Sequence, residues 1–87
     1  MKIEIRDSFL KDIKKQSKEN KQKIEVIYSD MKTAESISDL RNIKKLQGFK
    51  IFYRIRIGDY RLGFAFENET IVLLHFLHRK EIYRFFP

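Results

Sequence analysis

Residues 49–66, FKIFYRIRIGDYRLGFAF, decide the predicted fold, because apolar side chains alternate with polar or small ones on both sides of Gly58-Asp59. Such alternation is typical of strands with one buried face, and a Gly-Asp pair between two of them is typical of a two-residue hairpin turn. Residues 71–78, IVLLHFLH, are nearly all apolar, as expected for an inner strand covered on both faces. The C-terminal half therefore predicts three consecutive antiparallel strands.

The N-terminal half predicts one short strand followed by two helices. Residues 1–6 alternate between apolar and charged side chains, and a helix is expected after them until a polar break at residues 16–20. A second helix is indicated by apolar side chains at positions i, i+3, i+4 and i+7, namely Ile24, Ile27, Tyr28 and Met31. Residues 32–48 have no clean period and are expected to form turns or a short helix, and a last helix is expected over residues 80–86.

These elements predict an α+β fold with the order β-α-α-β-β-β-α, in a single domain that comprises residues 1–87. Each amphipathic helix has an apolar stripe that must be buried against another element. We therefore expect a mostly antiparallel four-stranded sheet, two N-terminal helices packed on one of its faces, and a short C-terminal helix.

The composition argues against several functional classes. The chain has no cysteine and only two histidines, which disfavours a disulfide framework and a structural zinc site. Its apolar runs are much shorter than the ~20 residues that span a bilayer, and its charged, strand-like first residues do not resemble a signal peptide. We therefore expect a cytoplasmic protein with no metal and no cofactor.

The chain is strongly basic, with 19 Lys and Arg against 12 Asp and Glu and a net charge of +7. Such an excess favours a polyanionic partner, which could be a nucleic acid, an acidic protein or a membrane surface. Solubility alone is the alternative explanation, so the distribution of the charges has to distinguish the two.

One face of the first hairpin strand is predicted to be uniformly basic, with Lys50, Phe52, Arg54 and Arg56 at alternate positions. Residues on one face of a strand repeat every ~6.6–7 Å, a spacing suited to successive phosphates of a nucleic-acid strand. Cations bind the phosphates, and an exposed phenylalanine can stack on a base. This face is a candidate RNA-binding surface, and a solvated sheet face is the alternative.

A second group of functional candidates lies where the last strand ends, at His78, Arg79, Lys80 and Tyr83. RNA can be cut without a metal when its own 2′-hydroxyl attacks the adjacent phosphate, a reaction that needs a base, an acid and positive charge. His78, Lys80 and Tyr83 are candidate proton carriers, while Arg61 and Arg79 can supply charge. The alternative is a solvated strand end. No Asp or Glu cluster has metal-ligand spacing, which disfavours a magnesium-dependent nuclease.

The ordered set YRIRI (residues 53–57), DYRLGFAF (59–66) and HRKEIYRFF (78–86) resembles the RelE/ParE superfamily of toxins of bacterial type II toxin–antitoxin systems. The resemblance covers nearly the whole chain and is strongest over residues 45–84. It implies a compact RelE-like α+β fold and a cognate antitoxin, encoded beside the toxin, that holds it inactive. RelE-like members cleave mRNA in the ribosomal A site.

The resemblance also implies roles for individual residues. By matching position, Arg54 and Arg56 would hold the RNA backbone, and Arg61 would correspond to the arginine of the hairpin motif. Arg79 and Tyr83 would correspond to the late arginine and tyrosine that act at the scissile phosphate.

The resemblance implies roles for three further residues whose positions match the family pattern less directly. His78 resembles the histidine that some ribosome-dependent relatives use in acid–base chemistry, and Lys45 and Lys50 would extend the phosphate track. The implied partners are mRNA on the ribosome, with contacts to rRNA, and an acidic antitoxin. A toxin–antitoxin heterotetramer is one assembly that the resemblance implies. The antitoxin would cover the basic face or displace the last helix, and no membrane is implied.

Two activities remain open on the sequence. The favoured one is a ribosome-dependent, metal-independent endoribonuclease that inhibits translation. The alternative is a ParE-like inhibitor that binds DNA gyrase and cleaves no RNA, and an RNA-binding module without activity is a third reading.

Overall fold

The computed structural model describes residues 1–87 as a five-stranded sheet with three α-helices. In chain order the elements are β1 (Lys2–Ile5), α1 (Asp7–Lys14), α2 (Lys18–Thr33), β2 (Ile43–Lys45), β3 (Phe52–Ile57), β4 (Tyr60–Glu67), β5 (Thr70–His78) and α3 (Ile82–Phe85). A single turn of 3-10 helix, Ile37–Asp39, lies between α2 and β2.

The strands are arranged in the order β1-β5-β4-β3-β2. β1 runs parallel to β5, and all other neighbouring pairs are antiparallel. β5 is therefore an inner strand between β1 and β4, which explains its nearly continuous apolar sequence. The predicted α+β class and the predicted order of the other elements are confirmed.

The sheet has five strands rather than the predicted four, because the short strand Ile43–Lys45 pairs with the outer edge of β3. A strand of three residues is too short to show the alternation by which strands are recognised. For this reason residues 32–48 were expected to contain only turns or a short helix. That expectation holds for Ile37–Asp39 and is wrong for β2.

The connection between β2 and β3 is also longer than predicted, since β3 begins at Phe52 and not at Phe49. The amide of Phe49 donates to the carbonyl of Leu46, and Gly48 between them has a φ of +86°. A positive φ of this size is readily adopted by glycine alone, so the chain turns here before pairing resumes.

The core lies between one face of the sheet and the helices α1 and α2. The alternation predicted for β3 is observed, since Ile55 and Ile57 are buried and Arg56 between them is exposed, and the inward-facing Leu62 and Phe64 of β4 are buried as well. The core is formed by Phe9, Ile24 and Met31 from the helices and by Leu40 from the segment before β2, with Ile55, Ile57, Leu62, Phe64, Ile71, Leu73 and Phe76 from the sheet.

Helix α1 completes the edge of β5 where β1 ends. β1 pairs only with Thr70–Leu73, so the next part of β5 has no strand on that side. There, the Asp12 carboxylate accepts a hydrogen bond from the backbone amide of Phe76 at 2.9 Å, and the same oxygen lies 2.8 Å from Nδ1 of His75. His75 therefore joins α1 to the sheet.

Replacing Asp12 with alanine is expected to destabilise the fold by about 1–3 kcal/mol, because it leaves the Phe76 amide and the His75 ring without an acceptor. In a domain of this size, each kcal/mol lowers Tm by about 4–8 °C. Thermal unfolding followed by circular dichroism measures the change. Glu25→Gln on the exposed side of α2 is the control, and an equal effect of both variants would contradict the role given to Asp12.

Candidate functional site

The sheet face opposite the core carries three arginines. Successive side chains of a strand point to opposite faces, so β3 directs Arg54 and Arg56 away from the core that buries Ile55 and Ile57. On β4, Arg61 lies directly across from Arg56. The three side chains therefore share one face of the sheet.

Arg61 is fixed in place by its own hairpin. Its Nη1 donates hydrogen bonds to the backbone carbonyls of Gly58 and Tyr60, each at 2.9 Å. An arginine has five N–H donors, so these two bonds leave others free to bind an anion. The side chain is partly buried, which limits its motion further.

Four other ionisable side chains lie close enough to Arg61 to act on its charge. Burial is the main cause that lowers the pKa of the Arg61 guanidinium, and the charge of Arg54 is the next largest. Arg56 and Arg79 lower this pKa further, while Tyr83 acts in the opposite direction. We call these five residues the arginine cluster. Its positive charges repel one another, and an anion bound among them would relieve that repulsion.

Arg79 lies in the turn after β5 and not on α3, since that helix begins only at Ile82. Its backbone amide donates to the carbonyl of Asp59 at 2.7 Å, and its Nε lies 3.9 Å from the Asp59 carboxylate. These contacts join the turn after β5 to the hairpin turn between β3 and β4. The last helix is therefore shorter than the predicted residues 80–86, and it carries Tyr83 but not Arg79.

Tyr83 is exposed on α3, a short helix that is anchored by one buried side chain at its start and another just after its end. Tyr83 is 60% exposed, whereas Ile82 and Phe86 are 0% and 2% exposed. Of the two C-terminal phenylalanines, Phe86 packs onto the sheet and Phe85 is exposed. The phenol of Tyr83 is therefore accessible to a ligand of the cluster, while its backbone is held against the sheet.

Phe86 is seated in a notch that glycine creates in β4. Its ring lies so close to Gly63 that a Cβ at that position would be 2.8 Å from the ring. Phe52 packs edge-on against the ring of Phe86, and Phe49 packs edge-on against Phe52, with ring centroids 5.7 Å apart in both pairs. Phe52 is therefore half-buried, and the expectation that it is an exposed stacking surface is wrong. It supports the segment that carries Tyr83.

His78 is separated from the arginine cluster. It lies opposite Tyr60 on β4, whose ring packs against the core, whereas the residue of β5 opposite Arg61 is Leu77. Nδ1 of His78 accepts a hydrogen bond from the backbone amide of Lys80 at 3.1 Å. The neutral ring therefore carries its proton on Nε2. Lys80 itself is exposed in the turn.

The two lysines predicted to extend the phosphate track do not lie beside the arginines on the sheet. Lys45 pairs with Tyr53, which packs against the core, so it faces the helix side, and Lys50 precedes β3. Lys44 is exposed and lies directly opposite Arg54. Lys44 was not among the predicted residues, because a three-residue strand gives no signal for which of two neighbouring lysines faces the arginines.

Arg54 is held at the edge of the sheet by the chain that leads into β2. Its Nη1 donates to the carbonyl of Asn42 at 3.0 Å, and its Nε is buried without a hydrogen-bond partner. An arginine already fixed at one nitrogen loses less freedom when it binds an anion than a mobile one does.

The chemistry that the arginine cluster offers is closely spaced positive charge beside one accessible phenol. Guanidinium groups bind phosphate oxygens through paired hydrogen bonds, and a phenol can donate or accept a proton. No group of three or more His, Asp or Glu side chains is arranged to hold a metal ion. No helix has both the length and the apolar composition needed to cross a bilayer.

Residues 3–83 match the family described as the ParE toxin of the type II toxin–antitoxin system parDE. This chain belongs to the RelE/ParE superfamily of toxins. The toxin is 38% identical to Toxin RelE3 of Methanocaldococcus jannaschii over 88 residues, which cover 100% of both chains. The resemblance seen in the sequence is thereby confirmed.

Solved structures agree with this assignment. The toxin matches the crystal structure of the RelB-RelE antitoxin-toxin complex from Methanococcus jannaschii with a TM-score of 0.83 and 34% identity, covering 97% of this chain and 99% of that one. It also matches the isolated Escherichia coli RelE toxin with a TM-score of 0.67 and 17% identity, covering 95% and 90%. At that identity the second match shows a shared fold alone.

Proposed function

We propose that this toxin is a ribosome-dependent, metal-independent endoribonuclease that cleaves mRNA and so inhibits translation. The observation that carries the proposal is the shared sheet face of Arg54, Arg56 and Arg61, with Arg79 joined to the hairpin turn between β3 and β4 and Tyr83 exposed on the helix that follows. The similarity to Toxin RelE3 supports it. A phosphate of an RNA strand is the anion that such a cluster would bind.

In the proposed reaction, the 2′-oxygen of one ribose attacks the adjacent phosphorus while the bond from phosphorus to the 5′-oxygen breaks. The products are a 2′,3′-cyclic phosphate and a 5′-hydroxyl, so the 2′-hydroxyl loses a proton and the 5′-oxygen gains one. Arg61 is held by its hairpin and would bind the non-bridging oxygens, on which negative charge increases in the transition state. Tyr83 would either accept the proton that the 2′-hydroxyl loses or donate the proton that the 5′-oxygen gains.

The two other proton-carrier candidates receive lesser roles. The neutral ring of His78 carries its proton on Nε2, so it would donate there and not act as the base, and it lies on the other side of the sheet from Arg61. Lys80 is exposed in the same turn and would contact a flanking phosphate or rRNA. Arg79 is the residue of this turn that we place at the scissile phosphate.

The RNA backbone would cross the sheet from the arginine cluster towards β2. Arg54 and Arg56 are alternate residues of β3, and Lys44 lies opposite Arg54 on the same face. This path replaces the one expected through Lys45 and Lys50.

The two adjacent lysines of β2 give a matched test of this path. Lys44→Ala is expected to weaken binding of single-stranded RNA and to reduce the slope of log Kd against log salt concentration by about 0.7, the loss of one phosphate contact. Lys45→Ala is expected to change neither. Fluorescence anisotropy with a labelled, 2′-O-methylated RNA, which cannot be cut, measures both. Equal slopes for the two variants would argue against the path.

The activity itself is tested by adding the toxin to programmed ribosomes and mapping mRNA ends by primer extension. We expect cuts within codons on the ribosome and intact mRNA when ribosomes are omitted. Intact mRNA on ribosomes, at toxin concentrations that arrest growth when reached in cells, would refute the proposal.

A second candidate function is inhibition of DNA gyrase by binding, without cleavage of RNA. The matching family is described by the ParE name, and the separation of His78 from the arginine cluster removes one proton carrier that cleavage could use. A gyrase supercoiling assay with the same toxin preparation distinguishes the two. Inhibition of supercoiling together with intact ribosome-bound mRNA would favour this second function.

We also infer an antitoxin partner. The M. jannaschii relative was crystallised as a complex of antitoxin and toxin, and a net charge of +7 suits an acidic partner. A heterotetramer of two toxins and two antitoxins is one assembly consistent with such a pair.

A further inference from the structure

One aromatic side chain at the surface belongs neither to the core nor to the arginine cluster. Phe49 is 46% exposed and lies in the connection between β2 and β3. Its ring packs edge-on against the ring of Phe52, with centroids 5.7 Å apart and ring planes at 75°. Because the two planes are nearly perpendicular, Phe52 can cover at most one face of the Phe49 ring. Phe49 therefore presents an aromatic surface to solvent.

The position of Phe49 is fixed by the backbone around it. Its amide donates a hydrogen bond to the carbonyl of Leu46 at 3.3 Å, and the amide of Leu46 donates to the carbonyl of Phe52 at 2.9 Å. On the other side of Phe49, the carbonyl of Ile51 accepts a hydrogen bond from the amide of Phe66 at 2.8 Å. A ligand that stacks on a ring held in this way has less chain to immobilise than one that binds a free loop.

The rings that support Phe49 lie on the sheet face that carries the arginine cluster. Phe52 and Arg54 are alternate residues of β3, so their side chains share that face and their Cα atoms lie ~6.6–7 Å apart. Phe86 packs against Phe52 and over Gly63, which lies opposite Arg54. An RNA strand bound at Arg54 would therefore reach Phe49 within a few nucleotides.

The chain around Phe49 carries positive charge without a carboxylate. Residues 43–57 contain no Asp or Glu, and their cations are Lys44, Lys45, Lys50, Arg54 and Arg56. Lys50, the residue after Phe49, is exposed and has no carboxylate within 4.0 Å. Cations that bind phosphates beside an aromatic ring that stacks on bases are the usual means of binding a single nucleic-acid strand.

An apolar protein segment is the less suitable ligand for this surface. The exposed neighbours of Phe49 in the turn are Gln47, Gly48 and Lys50, none of which offers an apolar side chain. The surface therefore suits one flat ring that is attached to a negatively charged backbone.

We propose that Phe49 stacks on a nucleobase of the RNA strand whose backbone crosses Arg54 and Lys44. The identity of the ligand as RNA rests on the proposed function. The stacked base would flank the cleavage site, and Lys50 would contact the adjoining phosphate. Phe49 thus takes the stacking role expected for Phe52 from the sequence, and the ring of Phe52 supports it.

Substitutions at residue 49 test the need for a ring. Phe49→Leu keeps an apolar side chain and removes the aromatic face, so it is expected to weaken binding of single-stranded RNA by about tenfold. Phe49→Tyr keeps the ring and should stay within about twofold of the unmodified toxin. Fluorescence anisotropy with the labelled, 2′-O-methylated RNA measures both.

The dependence on salt separates stacking from charge. Phe49→Leu removes no phosphate contact, so the slope of log Kd against log salt concentration should stay that of the unmodified toxin, unlike the slope of Lys44→Ala. Equal values of Kd for the unmodified toxin, Phe49→Leu and Phe49→Tyr would overturn the proposal. An unmodified toxin that binds no single-stranded RNA would overturn it as well.

A tryptophan at this position reports stacking directly and does not depend on a loss of affinity. The chain contains no tryptophan, so Phe49→Trp introduces a single indole, whose emission is quenched when it stacks on a base. Emission should fall on addition of RNA and saturate with the Kd found by anisotropy. Leu10→Trp on α1 is the matched control, because Leu10 and Phe49 are both 46% exposed. Equal responses of the two indoles would contradict stacking at residue 49.

Inorganic polyphosphate supplies negative charge without bases. It should compete with RNA for the arginine cluster, bind Phe49→Leu as well as the unmodified toxin, and leave the emission of Phe49→Trp unchanged. Quenching by polyphosphate equal to that by RNA would mean that residue 49 responds to charge alone, and the proposal would fail.

Failure of the proposed function and failure of the stacking site give different results. If ribosome-bound mRNA stays intact while RNA quenches Phe49→Trp, cleavage is refuted and the stacking site stands. If mRNA is cut while Phe49→Leu binds RNA as the unmodified toxin does, the stacking site is refuted and cleavage stands. If Phe49→Leu binds antitoxin more weakly and RNA equally well, Phe49 belongs to the antitoxin interface and the proposal is overturned.

Discussion

Arg61→Ala is expected to lower the rate of mRNA cleavage on programmed ribosomes by about 10²–10³-fold, the usual effect of removing one donor that stabilises transition-state charge. Arg61 lies directly across from Arg56, and its guanidinium is already oriented by the carbonyls of Gly58 and Tyr60. No neighbouring side chain is held in the same orientation by two backbone carbonyls, so a substitute is not available from within the cluster.

Single-turnover cleavage measured by primer extension gives this rate without contributions from product release. Arg84→Ala is the matched control, because Arg84 is an exposed arginine of α3 that contacts the ring of Phe85 and lies outside the cluster. Arg61→Lys keeps the charge and loses the paired donors, so its rate should lie between those of Arg61→Ala and the unmodified toxin. A rate for Arg61→Ala equal to that of Arg84→Ala would mean that Arg61 does not act on the transition state.

Phe86→Ala is expected to destabilise the toxin by about 3–5 kcal/mol, the cost of emptying a buried aromatic site. This is a large part of the stability of a small domain, which is often only about 5–15 kcal/mol. Phe85→Ala provides the control, since Phe85 is the adjacent aromatic residue and is 58% exposed. Thermal and urea unfolding should therefore distinguish two neighbouring phenylalanines by several kcal/mol.

The notch itself can be tested with a double-mutant cycle. Gly63→Ala alone should destabilise by about 1–3 kcal/mol, because the added Cβ overlaps the ring of Phe86. In the Phe86→Ala background the same change should cost much less, because the space is then empty. If the two effects add, the contact between Gly63 and Phe86 is not what fixes the C-terminal segment.

Much of the fold follows from sequence periodicity. The alternation around Gly58-Asp59 correctly predicts β4, β3 from Phe52 onwards and the faces of Arg54 and Arg56, and the 3.6-residue period correctly predicts α2. Long regular elements repeat their pattern several times, so their assignment does not depend on any single residue. β2 has only three residues and is recognised through its partner strand alone.

The candidate site was predictable to the extent that strand alternation holds. A bulge between β4 and β5 interrupts the alternation, since Gly63 pairs with His75 and Phe64 pairs with Leu73. Leu74 has no pairing residue on β4, so the alternation of inward-facing and outward-facing residues along β5 shifts by one position at Leu74. Such a shift depends on how two strands meet and leaves no mark in the sequence of either. The half-buried state of Phe52 likewise depends on the distant residue Phe86.

The crowding of positive charge around Arg61 has a consequence for the protein in its free form. A lowered pKa for a guanidinium means that the folded chain holds this charge less favourably than the unfolded chain does. An anion bound among these guanidinium groups would offset the repulsion and make the folded chain more stable.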